Sequence, residues 1–149
     1  MDDSGRTRLR VRGRVIHLAW LLAWLSIYTP QYTPPTYEIR VAPIPGYVGA
    51  YAYYAQGYVV VDMDKINRLP GAGPWDKVVV GACVLAHEDV HMRRRDANEL
   101  PAYLASVQCV DRFTKAVGYT PYTAWVRAHW QRMYEDEYSR QYPQGYTGE

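Results

Sequence analysis

Val84-Leu85-Ala86-His87-Glu88-Asp89-Val90-His91 contains the pattern H-E-x-x-H, and its spacing decides how the chain is read. Residues four apart on an α-helix lie one turn apart on the same face. His87 and His91 can therefore aim imidazole nitrogens at one metal ion, and Glu88, in the same turn, can reach a water beside it. Two ligands and a base are the minimum for metal-assisted hydrolysis. The run Val78-Val79-Val80-Gly81-Ala82-Cys83-Val84-Leu85-Ala86 leads straight into the motif, which makes it the polar end of a buried helix. Two His and one Glu buried without partners would be costly, and a metal satisfies all three. The plainer reading, a helix end facing solvent beside Arg93, Arg94 and Arg95, leaves that apolar run unexplained.

Catalytic zinc takes three protein ligands and keeps one position open. Glu99 follows His91 by eight residues. Pro101 suits the first turn of a second helix, with Asn98 as its cap. The chain is thus expected to turn back and present Glu99 to the metal. Asp96 is the alternative carboxylate ligand; its plainer role is to pair with the three preceding arginines.

His87-Glu88-x-x-His91 followed by Glu99-x-x-Ala102-Tyr103 resembles the gluzincin group of zincin metallopeptidases, of the compact single-domain type, over about residues 45–115. The metzincin branch would need a Gly and a third His where this chain has Arg94 and Ala97. The resemblance implies a Zn2+ held by His87, His91 and Glu99, with Glu88 activating the zinc-bound water. It also implies a Tyr or His as oxyanion donor. Tyr103, one turn beyond Glu99, is one candidate; His129 is the other, its plainer role being a packed or surface residue.

At 149 residues the chain is one domain by length. A formal net charge of +2 points to neither nucleic acid nor acidic substrates as partners. Fifteen Tyr against one Phe is a marked bias. Arg6, Arg8, Arg10, Arg12 and Arg14 precede an uncharged apolar run over 15–28. That run is shorter than the roughly 20 residues of a membrane span but matches a secretory apolar region behind a basic start. Residues 1–28 are accordingly expected to be a signal-like or anchor segment, 29–36 a Pro-rich linker, and the protein extracytoplasmic or membrane-tethered. The alternative is a core helix packed on the domain, and a cytoplasmic protein. Cys83 lies one turn before His87 and Cys109 ten residues after Glu99. A bridge between them would staple the site; unbridged, each is a small buried apolar residue.

Strands are expected over 37–41, 48–54 and 58–62, the last two as a hairpin around Gln56-Gly57. A helical turn over 63–69, the motif helix Pro74–Arg94, a second helix Glu99–Val117 and a third over 122–140 follow, with a tail over 141–149. The fold class is α+β: a small antiparallel sheet, then the H-E-x-x-H helix and two further helices, within a domain over 37–140. Strand 58–62 is the candidate sheet edge for pairing with an extended substrate, an ordinary core strand being the alternative. The function expected is zinc-dependent hydrolysis of a peptide or protein. The alternative is a catalytically silent zinc-binding or envelope-associated binding protein.

Overall fold

The computed structural model describes residues 15–29, 32 and 36–143. The basic start, most of the Pro-rich linker and the end of the tail lie outside the described residues. The fold is α+β, with a three-stranded sheet and five helices among the described residues.

Helix α1 (Leu18–Tyr28) is the apolar run. Leu21 and Leu25, one turn apart, are fully buried, and the buried Thr29 hydroxyl closes the helix by donating to the Leu25 carbonyl. The helix thus packs into the core. Among the described residues no helix is long and apolar enough to cross a membrane.

Strands β1 (Glu38–Val41), β2 (Ala50–Tyr53) and β3 (Tyr58–Val61) follow. β2 and β3 form the expected antiparallel hairpin, Ala50 facing Val61 and Tyr53 facing Tyr58. Gly57, at φ 91°, takes the left-handed position of its turn. β1 joins β3 in parallel, so the sheet is mixed rather than wholly antiparallel, in the order β1-β3-β2. The physical reason is the connection over 42–49, which carries the chain past the end of β3 to its far side. β3, expected as the edge, is therefore central, and β2 is an edge. Alternation turns Ala50, Ala52, Val59 and Val61 inward. It leaves Tyr51 and Tyr53 on the exposed face, their rings meeting edge to face at 4.9 Å.

Asp62 caps the short helix α2 (Met63–Asn67) by accepting from the Lys65 N–H. Helix α3 (Pro74–Arg94) carries the motif. Pro74 sits at its first position, where no N–H is needed, and Asp76 takes the Gly73 N–H at 2.8 Å. Val78, Val79, Ala82, Cys83 and Leu85 pack into one core with the sheet, α1 and α2. Within the motif, Asp89 takes Tyr37 and Arg93 as partners and fastens the far side of α3 to the start of β1. Arg95, in the left-handed conformation at φ 56°, ends the helix. Helix α4 (Glu99–Val117) opens on the Asn98 cap. Helix α5 (Pro121–Gln141) is capped by Thr120 and begins one residue before the expected start.

Cys83 and Cys109 form a disulfide across α3 and α4, with Cα atoms 5.5 Å apart. Closing its 26-residue separation contributes about 3–4 kcal/mol by restricting the unfolded chain.

Gly81 is where α1 presses on α3. A Cβ there would stand 2.7 Å from Leu21 Cδ1 and 3.2 Å from Ile66 Cγ2, both in fully packed surroundings. Gly81→Ala gains about 1 kcal/mol of helix propensity, yet we expect a net destabilisation of about 1–3 kcal/mol in chemical denaturation. Combining it with Leu21→Ala should cost at least about 1 kcal/mol less than the two separate changes summed; strict additivity would show that the contact is not made.

Candidate metal centre

The helical spacing does what it predicts: the His87 and His91 rings lie side by side on α3, centroids 5.2 Å apart. After the bend over 95–98 the first turn of α4 brings Glu99 to them. Glu99 Oε1 is 3.0 Å from His87 Nε2 and 2.9 Å from His91 Nε2. The three residues form a cluster able to hold a metal ion, their ligand atoms all within 4.8 Å of one another.

The donor chemistry fits a cation. His91 Nδ1 lies 2.9 Å from the Asp96 carbonyl, which can only accept, so Nδ1 carries the hydrogen. His87 Nδ1 lies 3.0 Å from Ser106 Oγ. That hydroxyl donates its own hydrogen to the Ala102 carbonyl at 3.1 Å, so here too Nδ1 is the donor. In each neutral imidazole the inward Nε2 then holds a lone pair. Both lone pairs face the Glu99 carboxylate, which is acceptor-only. Three acceptors at these distances repel unless a positive charge lies between them. In the metal-free protein protons do this work: hydrogen bonds from His87 and His91 hold the Glu99 carboxyl down at about 2, and the same bond raises His91. Tying off the outer nitrogen of a metal-binding His is the usual task of such outer partners.

Glu88 is buried beside the cluster, its Oε2 3.9 Å from His87 Nε2. Burial pushes its carboxyl up to about 7, against the pull of the two histidines. The Ala52 N–H is hydrogen-bonded to it. This follows from strand register. Asp62 N–H bonds to the Gly49 carbonyl at 2.8 Å, so Gly49, Tyr51 and Tyr53 direct their backbone groups at β3. Ala50 and Ala52 direct theirs away, toward the cluster.

A cleft of about 370 Å³ lies over the cluster, lined by β2, by Tyr47 and Tyr54, and by Tyr103 and Trp130. Tyr103 packs edge-on against the His87 ring at 4.8 Å, and burial raises its phenol. His129 does not line this cleft; its ring stacks on Trp125 at 5.8 Å. It sits on the wrong face of α5, and the next residue, Trp130, forms the wall instead. Asp96 contributes its backbone carbonyl, while its carboxylate is engaged with Arg94 at 3.3 Å and the Asn98 N–H. Ser106 was legible in principle: Glu99, Tyr103 and Ser106 fall at i, i+4 and i+7, one stripe of one helix. Trp130 and the edge of β2 had no comparable local signal.

No family model, no curated protein and no solved structure matches this chain.

Ser106→Ala frees the His87 ring to turn and should weaken the cluster's affinity for an added divalent metal, with zinc as the probe, by about 10–100-fold, measured by competition with a chromophoric chelator. Unchanged affinity would deny Ser106 its orienting part. The raised Glu88 carboxyl also sets a pH dependence for the chelator-treated protein. Its neutral form is the one the fold favours, so its stability is whole below the ordinary value of 4.5 and falls as pH rises to about 7. Glu88→Gln escapes that loss. Its stability should exceed wild type by about 2–3 kcal/mol at pH 8 and match it near pH 4, read from urea midpoints.

Proposed function

We propose that this protein is a zinc-dependent metallopeptidase of the zincin type, gluzincin-like, acting on an extended peptide or protein segment. The observation that carries this reading is the convergence of two imidazole lone pairs and the Glu99 carboxylate beside a buried, neutral-leaning Glu88. A zinc ion on His87, His91 and Glu99 would supply Lewis acidity, polarising a carbonyl and acidifying water. Two His and one Glu are a set used at catalytic zinc, whereas structural zinc favours closed, thiol-rich sites. Both cysteines here are consumed in a disulfide.

Glu88 is the general base. A carboxyl held near 7 is matched to taking a proton from the attacking water and returning it to the leaving nitrogen at neutral pH. Tyr103, protonated and facing the cleft, is the hydrogen-bond donor placed to meet negative charge developing on the carbonyl oxygen. The outward backbone groups of Ala50 offer an extended peptide a strand to pair with. This gives the edge role to β2 in place of β3. Tyr47 and Trp130 provide aromatic walls for its side chains. The disulfide favours an oxidising, extracytoplasmic location.

Elemental analysis of the full chain should give about one zinc per protein, lost on His87→Ala. The loaded protein should cleave casein or a mixed peptide library, and a chelator should stop it. Glu88→Gln should retain zinc while kcat falls at least about 100-fold. Zinc bound without any cleavage would leave a binding protein rather than an enzyme.

A further inference from the structure

The cluster is split between two helices, His87 and His91 on α3, Glu99 and Ser106 on α4. The Cys83–Cys109 bridge joins the same two helices, and its closed loop contains every one of these residues. Cys83 is one turn before His87, and Cys109 lies three residues beyond Ser106 on the returning helix. At the other end the bend over 95–98 joins the helices, with the Asp96 carbonyl holding His91. The metal cluster thus sits inside a covalent ring pinned at both ends. We infer that the disulfide and the metal are thermodynamically coupled: oxidation of Cys83 and Cys109 raises affinity for zinc, and zinc makes the bridge harder to reduce.

The physical reason is ordering. A metal must gather ligands from two helices, and the entropy it forfeits is smaller when a covalent link already restricts the loop that carries them. Coupling between two binding equilibria is reciprocal, so the factor gained by the metal reappears in the disulfide equilibrium. Both sulfurs are buried, Cys83 wholly and Cys109 to 1% exposure. On the face of the helix pair away from the cleft, a hollow lined by Thr29, Tyr32, Gln108 and Arg112 reaches Cys109. A monothiol such as glutathione entering there attacks Cys109 Sγ as its thiolate. The Sγ–Sγ bond breaks, and Cys83 leaves as a thiolate and takes a proton. A second glutathione resolves the mixed disulfide and frees Cys109 as a thiol. Two electrons and two protons pass to the protein, and glutathione disulfide is the product. In a reducing compartment the site would then hold zinc weakly; in an oxidising one it would load.

This inference rests on the metal-binding part of the proposed function and not on peptide hydrolysis. Two measurements on the full chain test it. Zinc affinity of the oxidised protein should exceed that of Cys83→Ala/Cys109→Ala at least 10-fold, by chelator competition on samples shown folded by circular dichroism. Independently, the wild-type bridge is titrated in glutathione redox buffers with and without saturating zinc. Its midpoint should move at least about 30 mV more negative with zinc, the equivalent of that tenfold factor. An unmoved midpoint overturns the inference even where the double variant fails to fold. So does a shift to more positive values, which would mean that zinc prefers the free thiols. Absence of zinc binding in either redox state removes the metal reading itself, and this coupling with it.

Discussion

Three electron pairs directed at one point are stable together only around a positive charge. That constraint organises this molecule. His87 and His91 have their outer nitrogens committed to Ser106 and to the Asp96 carbonyl, so in the neutral rings the inner nitrogens turn lone pairs toward Glu99. The two bonds that fix the tautomers come from α4 and from the bend that leads into it. The angle of the helix pair and the chemistry of the cluster are therefore one problem. The apolar face of α3 and the bridge to Cys109 hold that pair in place.

Around this centre the fold supplies dryness and direction. Glu88 is raised because the core closes over it, and it keeps one hydrogen-bond partner because β2 turns the Ala52 N–H toward it. The small side chains of Ala50 and Ala52 let the strand lie close to α3, while the tyrosines between them face out. A strand edge, a buried carboxyl and a cation-seeking cluster then share one cleft. The reading as a hydrolase of extended chains follows from that combination more than from any single residue.

Much of this was legible in the chain. The i, i+4 geometry of His87 and His91 is local, and the helix N-terminal residues Asn98 and Pro101 announced a second helix that starts at Glu99. The hairpin around Gly57 was marked by its own turn chemistry. Other features were not legible because they depend on distant partners. His129 and Trp130 are neighbours on one helix, and only the rotation of α5 against α4 decides which meets the cleft. The apolar run over 15–28 reads as a secretory or anchor segment, with a packed helix as the alternative. The fit of Leu21 against Gly81, far along the chain, makes its helical part a core element.

By itself the sequence determined that two imidazoles and a carboxylate stand on one helical turn, and that a further carboxylate opens the helix after it. These are consequences of a 3.6-residue period and of capping, which act within a few residues. Only the tertiary structure decided that Glu99 rather than Asp96 closes the cluster, that β2 rather than β3 borders it, and that Ser106 fixes the His87 tautomer. Strand order and interhelical approach are set by which surfaces bury each other across the whole domain, and no local pattern encodes that choice.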